Sequence, residues 1–142
     1  PQWDRTVDGV VERARLDVAF VDEAGTRSFV DVAITSASSD SARLVSQRAV
    51  EDGRAAASRV NDKRSRYKAA DYPGAALIPF VVEALGRPSE EAETLLQSLA
   101  PRDATRSVVL GSAYQTLSVL VQTRLAELLL AAEAGASRPV QA

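Results

Sequence analysis

The sequence predicts an α/β fold: a mixed β-sheet of about four strands, flanked by helices, with a long helix at the C-terminal end. Three observations carry this prediction. Two short β-branched runs, 16–21 and 28–35, flank a loop that contains Gly25, which is a hairpin pattern. A long Ala- and Arg-rich segment then leads to a third apolar run at 75–85. A helical crossover of that length makes the third strand parallel to a hairpin strand. Finally, 105–134 repeats apolar residues at helical spacing.

The 142 residues suit one domain with one core, taken as 1–134 with a frayed tail at 135–142. Hydrophobic content of 46% and charged content of 25% are those of a water-soluble globular chain. The absence of Cys and His excludes disulfides, Cys/His zinc sites and Cys or His nucleophiles. Acid–base and metal chemistry is left to carboxylates, Lys, Tyr and Arg. No run of 18 apolar residues is free of charge or turn signals, and no signal peptide is recognisable; the missing Cys suits an intracellular origin better than a small secreted one. The chain starts at Pro1 and lacks Met, which leads us to expect a domain of a longer protein.

Trp3, Val7, Val10 and Val11 recur at helical spacing and predict a short helix near 3–12, with Glu12 at its end. Along 16–21, Leu16, Val18 and Phe20 alternate with Asp17, Ala19 and Val21. Ser28 to Thr35 alternates in the same way around Asp31. Pairing the two runs brings Asp17 and Asp31 to the end of the hairpin away from its loop. Aspartate is disfavoured inside strands, so two in paired strands need a reason. Solvent exposure on an edge strand is the plain one; a shared ligand is the other.

Ser39 or Asp40 is the expected N-cap of a helix over 42–70, in which Val45, Ala49, Ala56 and Val60 hold one face and Gly53 is a weak point. Lys63 and Tyr67, four apart, share a side of it. Asp71-Tyr72-Pro73-Gly74 signals a turn. In the strand at 75–85, Pro79 argues for an edge or a bulge, and Glu83 lies near its end. Ser89 caps the next helix, Glu90, Glu91 and Glu93 suit its first turns, and Leu95, Leu96 and Leu99 pack it before Pro101. The helix at 105–134 is apolar around much of its girth, which suits central packing or pairing of copies into a homo-oligomer.

Net charge is -2, yet it is unevenly spread. From Arg43 to Lys68 there are eight Lys/Arg and three acids, Glu51, Asp52 and Asp62. That segment carries +5 and the rest -7. A basic helix on an acidic body suits phosphate binding, with Arg15, Arg48, Arg59, Arg64, Arg66 and Lys68 as candidate DNA contacts; a solvated helix face is the alternative. Two aspartates on adjacent strands form half a shell for Mg²⁺ or Mn²⁺, with Glu12 and Glu83 as secondary candidates. A lysine beside them can orient water and stabilise charge on a scissile phosphate. These ingredients are those of phosphodiester hydrolysis.

Arg-Leu-Asp17, the thirteen residues that follow, Val-Asp31-Val and Lys63-x-x-x-Tyr67 together resemble the restriction-endonuclease-like domain of site-specific non-LTR retrotransposons. That family belongs to the PD-(D/E)XK nuclease superfamily. Leu-Ile-Pro-Phe-Val-Val-Glu-Ala-Leu-Gly-Arg, 77–87, resembles its apolar strand leading to a Gly. The likeness covers about 13–100. It implies a restriction-endonuclease-like core and Mg²⁺- or Mn²⁺-dependent nicking of nuclear target DNA to start target-primed reverse transcription. By match, Asp17 and Asp31 bind metal, Lys63 is the catalytic lysine displaced onto a helix, and Tyr67 supports it. Leu16 replaces the motif's Pro, and Ala33 stands where ordinary restriction enzymes carry the in-strand Lys. Activity then depends on Lys63 reaching over from its helix. The implied partners are DNA and the reverse-transcriptase and zinc-knuckle parts of the parent protein. Two alternatives remain open: a structure-directed nuclease similar to Holliday-junction resolvases, and an inactive docking domain of the same fold.

Overall fold

The computed structural model describes residues 2–7, 10–36, 51–68 and 74–136, with side chains over 16–36, 51–68 and 74–133. Its elements in chain order are β1 (Gln2–Val7), β2 (Val10–Arg15), β3 (Val18–Val21), β4 (Arg27–Thr35), α1 (Arg54–Arg66), β5 (Ala75–Glu83), α2 (Glu90–Leu99) and α3 (Arg106–Ala136). The mixed sheet has three strands among the described residues, in the order β3-β4-β5. β3 is antiparallel to β4, and β5 is parallel to it.

The N-terminal segment departs from expectation. In place of a helix near 3–12, β1 and β2 pair as an antiparallel hairpin with Val7 opposite Val10. That register leaves Asp8-Gly9 as the link, the dipeptide that tight hairpins favour. The β-branched Thr6, Val7, Val10 and Val11 on either side suit extended backbone. Helical spacing of four apolar residues was the weaker signal.

The β3–β4 hairpin lies where its pattern puts it. Its loop closes through Asp22, whose carboxylate accepts from Thr26 N–H at 2.8 Å, and through Gly25 at φ +82°. The alternation fails in β3: Leu16 is buried but Val18 and Val21 are exposed. β3 is an edge strand of four residues, and nothing among the described residues covers its outer half.

β4 and β5 form the centre of the fold. Their parallel register sets Phe29 beside Leu77, Asp31 beside Pro79, Ala33 beside Val81 and Thr35 beside Glu83. These odd-numbered residues share one face, and α1 lies across it. From the start of α1 to its end, Ala56 and Val60 pack on Val81 and Ala33, and Tyr67 packs with Leu16 and Phe29. β5 is an edge strand, which is where Pro79 is tolerated. It ends at Glu83 rather than 85.

α1 is shorter than the sequence suggests. It begins after Gly53 and ends at Arg66, not at Ala70; 37–50, with Ser39, Asp40, Val45, Arg48 and Ala49, lie outside the described residues. Gly53 is a boundary because its φ of +77° is left-handed, a conformation that costs other residues a clash at Cβ. Gly53 offers no side-chain cap. Instead the Glu83 carboxylate, from the end of β5, accepts a hydrogen bond from Ala56 N–H at 3.2 Å.

α2 starts as its sequence demands: Ser89 Oγ accepts from Ala92 N–H at 3.2 Å, and three glutamates occupy the first turn. Ala92 and Leu95 are buried, whereas Leu99 is 64% exposed. Leu99 is the last helical residue, and the chain turns there to bury Ala100 instead. α3 then runs 31 residues, about 46 Å at the rise of an α-helix. Leu110, Tyr114, Leu117, Val121 and Leu125 form its covered stripe. Gly86, at φ +91°, lets the β5–α2 connection touch this helix, since a Cβ there would lie 2.5 Å from Ser118 Oγ. Val108, Val119, Leu120 and Leu128 to Leu130 remain exposed. No described helix is long and apolar enough to cross a membrane.

Candidate functional site

β3 reaches β4 only as far as Val18 opposite Val30. Asp17 N–H donates to Val30 C=O at 3.1 Å, and its carboxylate Oδ2 accepts from Val32 N–H at 2.7 Å. The Asp17 side chain thus replaces the strand that β4 lacks beyond this point, and it does so at the surface.

Asp31 lies under α1 and is 8% exposed. Lys63 comes down from the last turn of α1 and is 7% exposed. Its Nζ lies 2.6 Å from Asp31 Oδ2 and 3.4 Å from Val32 C=O. An ammonium and a carboxylate lose several kcal/mol of hydration each when buried, so both must be paired to sit here. Two of the three Lys63 donors are used in this way, which leaves one. The backbone of Val32 therefore joins three side chains: Asp17 holds its N–H, Lys63 touches its C=O, and Asp31 precedes it.

Two carboxylates and one amine leave this cluster with a formal charge of -1. Asp17 Oδ1 and Asp31 Oδ1 accept no hydrogen bond among the described residues. Among the described residues no group of three His, Cys, Asp or Glu gathers as a metal cage. Mg²⁺, however, commonly takes only one or two carboxylates and fills its shell with water and phosphate oxygens. The two carboxylate oxygens without a hydrogen bond are hard donors of the kind such an ion takes.

The remaining sequence-derived residues divide. Tyr67 is buried beneath the amine's helix, against Leu16 and Phe29, with the Arg66 guanidinium 5.5 Å from the centre of its ring. Glu83 lies at the opposite end of α1 from Lys63, beside Ala56, seven residues and about 10 Å away along the axis. Glu12 is on β2 opposite Arg5, and Arg15 ends that strand; their side chains lie outside the described residues, as does all of Arg48.

The basic run is largely neutralised. Arg54 pairs with Glu51, Arg64 with Glu91 at 2.8 Å, and Arg59 lies 3.9 Å from Asp62. Lys68 is exposed and has no ion-pair partner among the described residues. Two positions in and beside this cluster escape sequence reasoning. Val32 contributes through its backbone, which no side-chain motif signals. Arg87, which pairs with Asp52 at 2.9 Å, ties the turn before α1 to the connection before α2.

Comparison of the chain with protein-family models, with curated proteins and with solved structures gives no match.

Proposed function

We propose that this chain is a metal-dependent DNA endonuclease domain with a restriction-endonuclease-like core, which nicks nuclear target DNA by phosphodiester hydrolysis. In this reading it belongs with the nuclease domains of site-specific non-LTR retrotransposons, beside a reverse transcriptase and a zinc knuckle in the parent protein. The observation that carries the proposal is the Lys63–Asp31 pair at 2.6 Å, with Asp17 on the adjoining peptide. Nothing in the packing of α1 alone requires a lysine and an aspartate there, since apolar residues of similar size fill such a place at no loss of stability.

Asp17 and Asp31 would hold Mg²⁺ or Mn²⁺ through the oxygens that carry no hydrogen bond. The ion would supply charge neutralisation and a polarised water. Lys63, anchored by Asp31 and Val32, directs its third N–H at a phosphate oxygen, where negative charge grows during attack. Tyr67 and the apolar cluster around it fix the end of α1 and hence the amine. Lys68 and Arg59 are the accessible cations for flanking phosphates.

The test is nicking of supercoiled plasmid with Mg²⁺ or Mn²⁺, read beside calorimetric metal binding. Asp17→Asn and Lys63→Ala are expected to lower nicking by about a hundredfold or more, and Asp17→Asn also to weaken Mg²⁺ binding. Equal nicking by all three proteins would end the proposal. One observation favours a second reading, an inactive docking domain: the amine already has two partners within the protein, Asp31 and Val32. Absence of both nicking and calorimetric metal binding would select it.

Copies of the chain pair, in our proposal, through the exposed side of α3. Arg124 is neutralised there by Glu127 at 2.8 Å, so the surface offers apolar contact and little net charge to a nucleic acid. Leu129→Glu is expected to shift the protein from dimer to monomer in sedimentation; an unchanged mass would rule out that interface.

A further inference from the structure

β4 outruns β3, and the stretch it leaves open has a consequence for substrate. Even-numbered residues of β4 aim their peptide groups at β3: Val30 C=O accepts from Asp17, and Val32 N–H is taken by the Asp17 carboxylate. Odd-numbered residues aim at β5, as Thr35 C=O does in accepting from Ala84 N–H at 2.8 Å. By this alternation Ile34 directs its N–H and C=O to the side where β3 has ended. Among the described residues no strand pairs with it there. Its side chain is 43% exposed.

A cavity of about 300 Å³ lies beside this edge, between β4 and the flank of α1. Ile34, Thr35, Ala55, Ser58, Arg59 and Asp62 line it. It lies one residue along α1 from Lys63 and two along β4 from Val32. Its lining combines the hydroxyls of Thr35, Ser36 and Ser58, the Arg59 guanidinium, the Asp62 carboxylate and the Ile34 edge of β4. Arg59 is only loosely engaged, 3.9 Å from Asp62 with half of its side chain in solvent, so most of its five donors remain available.

We propose that this cavity is a nucleotide subsite that seats one unpaired nucleotide next to the scissile phosphate. Arg59 and Ser58 Oγ hold its phosphate, and the base edge meets the Ile34 N–H and C=O at the open side of β4. A base still paired in a duplex cannot enter a recess of this size, so the substrate class is DNA that is single-stranded beside the cut. The inference rests on the endonuclease reading, and the measurements separate the two.

The decisive experiment follows backbone amide shifts of the whole chain on adding a six-residue oligothymidylate, or a short hairpin duplex, in EDTA. The single strand is expected to move Ile34, Ser58 and Arg59, and to bind about tenfold tighter than the duplex. Ser58→Trp, an exposed position where the indole fills the cavity, and Arg59→Ala are each expected to weaken it about tenfold. No shift at those residues, or equal affinity for the duplex, overturns the subsite. Nicking assays then sort the failures. If the unaltered protein nicks and Ser58→Trp nicks with unchanged KM, the subsite is wrong and the endonuclease reading stands. If the unaltered protein binds the single strand at Ile34 and Ser58 but never nicks, the subsite stands as a binding site and the endonuclease reading is wrong.

Discussion

α1 carries two kinds of ion pair, and they differ in what surrounds them. Lys63–Asp31 is enclosed, with side chains 9% and 11% exposed, while Arg59–Asp62 stands half or more in water and Arg64–Glu91 joins an exposed guanidinium to a half-buried carboxylate. Water and salt screen the exterior pairs, and each contributes under about 1 kcal/mol. The interior pair is different in kind. Its net contribution is small because both ions have left water, but neither partner can be spared alone. A buried pair of this sort thus fixes where an amine points, and the arginines outside it set how the helix meets solvent and ligands.

The largest expected effect breaks this contrast at its strong side. Lys63→Ala leaves the Asp31 carboxylate buried and unpaired, and is expected to lose about 3–5 kcal/mol in urea unfolding. Arg64→Ala in the same measurement is expected to lose less than about 1 kcal/mol. The double variant Asp31→Leu/Lys63→Met should recover most of the stability while remaining inactive in nicking. If Lys63→Ala and Arg64→Ala unfold alike, the enclosure of the first pair has no energetic meaning.

The smallest expected effect sharpens the weak side, at a carboxylate wholly in solvent. Asp103 precedes α3, and its carboxylate accepts from the Thr105 hydroxyl and from Thr105 N–H at 2.8 Å. The hydroxyl bond first, and the backbone bond second, hold it below the usual 3.8. A group lowered in the folded state stabilises above its ordinary pKa, and that stabilisation fades as pH falls through the folded value. Asp103→Asn should therefore unfold slightly more easily than the parent at neutral pH, with the gap closing below pH 3.8. A gap that stays constant down to pH 2 would show that the carboxylate's charge is irrelevant to the start of α3.

Local signals made much of this legible. The Gly25 loop, the Ser89 cap and the β3–β4 pairing follow from neighbouring residues, and a register in a short hairpin is set by its own loop. The same holds for the parallel crossover to β5. What sequence reasoning missed depends on partners far along the chain or on two competing periods. Trp3, Val7, Val10 and Val11 satisfy a helical template, yet Asp8-Gly9 and β-branching pointed to a hairpin. Glu91 neutralises Arg64 across 27 positions, so the net +5 of the basic segment overstated what a phosphate would meet. Glu83 reads as an acid at a strand end, and only the packed fold gives it a helix to hold.

That helix receives its cap from a strand 27 residues downstream. A peptide covering α1 alone would lack the acceptor for Ala56 N–H, and short isolated helices are marginal in water. The amine-bearing turn thus gains order only as β5 docks beside β4, in the same cooperative event that completes the sheet. Truncation before Glu83, even well clear of Asp17, Asp31 and Lys63, would leave these three side chains without a fixed meeting place.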